Sequence, residues 1–304
     1  MIEGGCVAIQ DGLIFAVGPT DVLQQNHPGA RFIDAHGRLI MPGLINAHMH
    51  LYSTFARGMA LKDDAPNSFV DILERLLWRL DKALTLDDVY LSAMVAMIDC
   101  IRNGTTTIFD HHSSPGAVTG SLFRIAEAAH QTGLRSCLCY EVTDREGEGV
   151  TALSIDENRA FLQYCRQSGD SLLRGLFGLH ASFTVSDKTI ARCTDAAAGL
   201  NTGFHIHVAE AASDQAQCQL EHGARVVHRL HDLGVLGGRT SPPTASMSIP
   251  ARSICCRQPV PTLFTTLNPT WAMQLAALQC WTWPVAGCAS GWGAMATPAT
   301  CSSR

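Results

Sequence analysis

The chain has 304 residues, of which 46% are hydrophobic and only 16% charged, a balance that can fill a sizeable core and excludes a natively disordered protein. A formal charge of −5 gives no electrostatic reason to expect nucleic acid or an acidic membrane surface as a partner. There is no apolar run of about 20 residues to span a membrane, no basic-then-apolar start of a signal peptide, and no zinc-knuckle spacing among the 12 cysteines, so the sequence reads as a cytoplasmic protein with buried free thiols.

In chain order, the first 40 residues carry three short apolar runs: Val7-Ala8-Ile9, Ile14-Phe15-Ala16-Val17-Gly18 and Arg31-Phe32-Ile33-Asp34-Ala35. Turns such as Gln10-Asp11-Gly12 separate them, and together they predict part of a small β-sandwich domain over 1–40. A strand follows at 45–50. The positions Phe69, Ile72, Leu73, Leu76, Leu77 and Leu80 keep helical spacing and predict a helix over 68–82. Thr85 caps the next helix, which stops at Asn103-Gly104 before a β-branched strand at 105–109 ending in Asp110-His111-His112.

The cycle then repeats, with helix 121–132, strand 136–142, helix 156–167, strand 176–179 ending in His180, a helix from the Ser186 cap to 198, strand 204–208 and a last helix over 213–233. Five strand–helix units point to parallel strands. The fold class is therefore α/β, a (β/α)8 TIM barrel over 41–240, incomplete at about five units. An open doubly wound sheet is the alternative, disfavoured by the absence of a Gly-x-Gly-x-x-Gly turn.

Near residue 240 the chain changes character. All 13 histidines and all 27 acidic residues precede it, whereas residues 241–304 hold four of the five tryptophans, eight of the 13 prolines and five of the 12 cysteines. No periodicity lasts there, and the prolines would interrupt any long element. A slipped reading frame explains this. Read from the third base of each codon, Trp292-Gly293-Ala294-Met295-Ala296-Thr297-Pro298 can become Gly-Ser-Asp-Gly-Tyr-Thr. The same offset can give Leu-Val-His-Asn-Pro-Glu-Ser-Asn-Met across 262–271 and Ala-His-Cys-Val-His-Val across 242–248. Residues 241–304 are therefore expected to be a frameshifted, non-native tail.

The chemistry is carried by histidines. His48-Met49-His50 ends the first barrel strand, and side chains at i and i+2 of a strand share a face. The pattern returns at His205-Ile206-His207-Val208-Ala209-Glu210. Two imidazoles from one strand end and a third from another could grip one cation, leaving a position for water. On this reading His48, His50 and His207 are metal ligands, and Glu210 is the catalytic carboxylate that moves protons. His205 shares the His207 face and is read as structural support. His180 and His111 are candidate substrate contacts, with a structural or rim position the competing reading for His111 and His112. Asp144 and Arg145 are further candidates, against a local ion pair. His222, His228 and His231 are read as surface residues of the last helix. The polar candidates fall at strand C-terminal ends, the face where such barrels place their active sites.

Met41-Pro42-Gly43-Leu44-Ile45-Asn46-Ala47-His48-Met49-His50 resembles the amidohydrolase superfamily motif. Arg57-Gly58, Gly104-Thr105-Thr106-Thr107, His180-Ala181 and His207-Val208-Ala209-Glu210 resemble its cytosine deaminase and chlorohydrolase-like branch. The run Phe109-Asp110-His111-His112-Ser113-Ser114-Pro115, with Tyr140-Glu141-Val142-Thr143-Asp144-Arg145, is similar to the aminohydrolase group called SsnA. The resemblance implies a (β/α)8 barrel beside a β-sandwich built from both chain ends. It also implies hydrolytic deamination with one divalent metal ion, zinc first and iron second. It carries His48, His50 and His207 over as ligands, Glu210 as proton shuttle and His180 as substrate contact. The binuclear branches use a bridging lysine on the fourth strand, and 174–180 contains none, which favours one metal.

A family histidine after strand six and an aspartate after strand eight have no counterpart as translated, though the shifted readings recover both kinds of motif. The expectation is therefore a metal-dependent aminohydrolase acting on non-peptide C–N bonds in the intact parent, with this chain inactive or poorly folded. Its partner is a small-molecule substrate, and homo-oligomerisation is left open. A metal-dependent chlorohydrolase or amidase, and a catalytically dead binding protein, are the competing readings.

Overall fold

Parallel strands organise the larger part of this molecule. The computed structural model describes residues 1–59 and 66–236, and the expected frameshifted tail at 241–304 lies outside them. Among the described residues, 1–43 form one compact unit and 44–236 another. No helix among the described residues is long and apolar enough to cross a membrane.

In the first unit β1 (Gly5–Gln10) and β2 (Leu13–Pro19) form an antiparallel hairpin with a register shift between Ala8 and Ile9. Asp11 (φ 52) and Gly12 (φ 76) turn it, the left-handed pair that a tight hairpin needs. A short helix follows, α1 (Thr20–Asn26), which the sequence reading missed; the Thr20 hydroxyl bonds the Gly4 carbonyl at 2.8 Å. The third apolar run, 31–35, is not a strand. Asp34 accepts the His36 amide at 2.7 Å, with His36 at φ 52, so a side-chain turn takes up backbone that a ladder would have used.

The second unit is a parallel α/β array, the incomplete TIM barrel. β3 (Leu44–Met49) pairs with β4 (Thr105–His112), β4 with β5 (Arg135–Tyr140), and β5 with β6 (Leu173–Gly175). β7 (Phe177–Ala181) pairs with β8 (Phe204–His207). β6 and β7 are one strand broken at Leu176, and both lie along the β5 path. Leu176 N bonds Leu138 O at 3.1 Å, and His180 N bonds Val142 O at 2.9 Å.

Helices return the chain from each strand. The segment over 69–83 is irregular: α2 (Phe69–Ile72), a π-turn (Leu73–Leu77) and α3 (Trp78–Ala83). The wide turn rotates the face that a uniform helix would present. Leu73 and Leu80 are buried, but Ile72, expected on the same stripe, is 38% exposed. Next comes α4 (Leu86–Arg102), opened by a reciprocal Thr85–Asp88 capping box, and it buries Val89, Ala93, Ala96 and Met97 at helical spacing. α5 (Ser121–Thr132) ends at left-handed Gly133. Its first turn is held by Glu157, which accepts the Gly120 and Leu122 amides at 2.8 and 2.9 Å.

α6 (Glu148–Ser168) begins two turns before the expected start. Gly147 and Gly149 disguise that start, but the Thr151 hydroxyl anchors it on Thr143 O at 2.9 Å. α7 (Asp187–Ala197) has the predicted Ser186 cap. The expected single helix over 213–233 is two, α8 (Ala212–His222) and α9 (Val226–Asp232), because Gly223 at φ 64 terminates the first. Arg229 of α9, 5% exposed, donates to Ser182 O, Val185 O and Asp187 Oδ1, fixing the loop after β7.

One glycine sets how closely β7 approaches β5. A Cβ on Gly178 would lie 2.1 Å from the Tyr140 carbonyl oxygen. No rotamer relieves a backbone clash of that kind. Gly178→Ala should cost more than about 3 kcal/mol, read as loss of the cooperative melt; a variant melting like the parent would show that β7 is not held here.

Candidate metal centre

Six histidines gather at the C-terminal ends of the strands. His48 and His50 come from the end of β3, His111 from β4, His180 from β7, and His205 and His207 from β8. Ring centroids of His48 and His50 are 4.8 Å apart, His48 and His207 5.1 Å, and His50 and His207 5.2 Å. The three predicted ligands therefore meet in one place.

Their nitrogens sort into two overlapping groups. His50, His111, Glu141 and His207 form one, and His48, His111 and His205 form the other, with donor atoms inside each group all within 4.8 Å of one another. His111 belongs to both. It is 0% exposed, in the interior of the cluster and not at a rim.

Hydrogen bonds fix the tautomers. His50 Nδ1 lies 2.7 Å from His111 O, and His207 Nδ1 lies 2.8 Å from His180 O. A carbonyl only accepts, so both Nδ1 atoms carry protons. The two Nε2 atoms face each other at 3.2 Å. Two nitrogens about 2.0–2.1 Å from one tetrahedral zinc would be about 3.3 Å apart. His48 Nδ1 is 2.8 Å from His205 Nε2, and His205 Nδ1 is 3.6 Å from Cys139 Sγ. Protons on both Nδ1 atoms satisfy this relay and leave a lone pair on His48 Nε2. That atom is buried without a hydrogen bond, as are His111 Nε2, Asp110 Oδ2 and Glu141 Oε1. Buried polar atoms are normally satisfied, and this donor set of imidazoles and a carboxylate fits a zinc- or iron-type cation.

Glu141 is the residue that the sequence reading passed over as a site residue. Its Oε1 lies 3.2 Å from both His50 Nδ1 and His111 Nδ1, and its Oε2 lies 3.7 Å from His180 Nε2. The Oε1 contacts are close enough for ion pairing but are not aligned as hydrogen bonds. The signal was present: a carboxylate inside the otherwise apolar run Cys137-Leu138-Cys139-Tyr140 has to be paired where it is buried.

The electrostatics follow from this crowding. Burial would raise the Glu141 carboxyl, but the His111 and His180 rings outweigh it and hold it well below the carboxylate range. Burial favours neutral His50, yet Glu141 and the His111 carbonyl push it up to about 9. For His48 and His207, burial comes first and neighbouring imidazoles add to it, keeping both well below the usual value. His180 is pushed down to about 4, again chiefly by burial. Glu210 follows β8 through Ala209, which sits at the strained φ of 51. Burial raises its carboxyl to about 7, against the pull of His50.

The remaining candidates are engaged nearby. Asp144 accepts Thr189 Oγ1 at 2.6 Å and Ser186 N at 2.7 Å, so it caps α7. Arg145 Nη2 pairs with Asp81 at 2.6 Å, and its guanidinium lies 4.6 Å over the Trp78 ring, leaving Nη1 without a hydrogen bond. The rings of Trp78 and Phe183 flank His180 at 6.1 and 6.0 Å.

Comparison with known proteins gives this geometry its relatives. Residues 39–240 match the amidohydrolase family, and residues 5–30 match the imidazolonepropionase-like composite domain of bacteria. Over 249 residues the chain is 35% identical to a 5-methylthioadenosine/S-adenosylhomocysteine deaminase of Nitratidesulfovibrio vulgaris, covering 79% of this chain and 52% of that protein. It is 30% identical over 236 residues to a 5'-deoxyadenosine deaminase of Methanosarcina barkeri, covering 78% and 51%. A zinc-bound adenosine deaminase from Xanthomonas campestris superposes with a TM-score of 0.64 at 26% identity, over 78% of this chain and 52% of that one. The chain spans about half the length of the curated relatives it matches.

Asp81 is 1% exposed, so removing Arg145 leaves a buried carboxylate with the Ser113 hydroxyl but no cation to pair it. Arg145→Met should lower stability by about 3–5 kcal/mol, measured by urea denaturation. An unchanged midpoint would release Arg145 from this structural pairing.

Proposed function

Because the chain belongs to the amidohydrolase family, we propose that residues 44–236 carry the metal-binding half of a metal-dependent aminohydrolase, an enzyme that removes an amino group from a small molecule by hydrolysing a non-peptide C–N bond. His48, His50 and His207 would hold one divalent ion, zinc before iron, whose chemistry when bound is to acidify water to a pKa of roughly 7. Glu210 would be the group that accepts a proton from water and returns it to the departing amine. His180 hydrogen-bonds the substrate beside the Trp78 and Phe183 rings, and the spare Nη1 of Arg145 offers a further donor. The observation that carries this reading is the pair of Nε2 atoms of His50 and His207 at 3.2 Å, each ring tied through Nδ1 to a carbonyl.

The names of the relatives make adenosine-type nucleosides the first substrates to test. Residues 241–304 hold no histidine or acidic residue, so this reading makes the chain as translated a poor catalyst. A gene with the frame restored after codon 240 should give the active parent.

Metal-loaded parent protein should release ammonia from such nucleosides. Glu210→Gln should lower kcat by about 10²–10⁴-fold with its metal content intact. Release of halide and not ammonia from chlorinated heterocycles would replace the deaminase reading, and steady turnover by the chain as translated would remove the inactivity proposal. Glu210 serves as a base only when ionised; burial raises its carboxyl, and a bound dication would pull it down. The parent's kcat/KM should therefore fall toward acid pH as that carboxyl protonates, and Glu210→Gln should lack that limb.

A further inference from the structure

The predicted ligands come from β3 and β8 alone. The structure sets two more donors from the intervening strands against His50 and His207: His111 at the end of β4 and Glu141 just past β5. We propose that His111 and Glu141 are themselves donors to the cation, so that four strand ends of this chain contribute to one centre. This inference rests on the reading of the site as a metal centre and goes beyond its sequence-derived ligand set.

Four observations carry it. The donor atoms of His50, His111, Glu141 and His207 lie within 4.8 Å of one another. His111 is 0% exposed, and both of its ring nitrogens lack a hydrogen bond. Glu141 Oε1 is likewise buried and unbonded, although it sits 3.2 Å from two imidazole nitrogens. The ring centroids of His111 and His207 are 4.6 Å apart, and those of His111 and His50 5.6 Å, bracketing the 5.2 Å of His50 and His207. Added to the imidazoles already assigned, one further imidazole and one carboxylate make a mixed nitrogen–oxygen set that suits zinc, iron or cobalt. The carboxylate also supplies the negative charge that a dication buried among neutral rings needs.

The test is cobalt and zinc binding to the metal-stripped full-length chain, read by cobalt d–d absorption and by zinc competition. Thermal melts of each apo variant confirm folding. Glu141→Gln keeps the size of the side chain and removes the anionic oxygen. It should weaken cobalt affinity on the order of ten-fold or more and shift the d–d envelope, because the oxygen donor is lost. His111→Gln should do the same by loss of a nitrogen. His50→Gln and His207→Gln serve as reference losses.

If Glu141→Gln and His111→Gln bind cobalt with the parent affinity and spectrum while His50→Gln and His207→Gln lose it, this proposal is overturned and the metal centre itself stands. If none of the four changes binding, both readings fall. If Glu141→Gln weakens affinity but leaves the spectrum untouched, Glu141 acts only by orienting the rings, and its role as a donor is refuted.

Discussion

The buried carboxylate of Glu141 is the contact on which this site depends. Six imidazoles packed at the ends of four strands would otherwise repel one another whenever any of them took a proton, and burial denies them the water that would screen it. One anion facing His50, His111 and His180 gives the cluster a fixed polarity. A cation and its ligands need that arrangement, and carbonyls of His111 and His180 complete it from the backbone.

The surrounding fold treats its polar groups in two ways. Away from the strand ends, several buried polar side chains are satisfied by the chain itself. Glu157 caps α5 with both oxygens, Asn158 bonds Tyr140 on both sides of its amide, and Arg229 ties α9 to the loop after β7. At the strand ends, His48 Nε2, Asp110 Oδ2, the His111 ring and Glu141 Oε1 are buried without hydrogen bonds. An exception to satisfaction calls for an explanation where it clusters, and here it clusters where parallel barrels keep their chemistry. The rigidity behind the site and the unmet bonding in front of it are complementary: fixed strands hold unsatisfied donors close together, where flexible loops would let them turn to water.

Periodicity made most of the scaffold legible. The Thr85 and Ser186 caps, the Gly104 and Gly133 stops and the apolar stripes of α4 and α5 are local, and local chemistry decides them. The failures are where a local rule had competition. Gly147 and Gly149 concealed the first turns of α6, which are anchored by Thr151 on a distant carbonyl. A π-turn redirected the helix near residue 75, and Gly223 cut the last predicted helix in two. Within the site, the i, i+2 histidines could be seen because alternation along a strand puts them on one face.

The sequence by itself determined the α/β order, the strand ends and the histidine pairs, because each depends on spacing within one element. Only the tertiary structure decided that His111 lies inside the cluster, that His48 leans on His205, that Asp144 caps a helix and that Arg145 neutralises Asp81. It also brought Glu141 to the histidines. These are meetings between strands that the pattern of any one strand cannot encode, since they depend on the register at which β3, β4, β5, β7 and β8 stop.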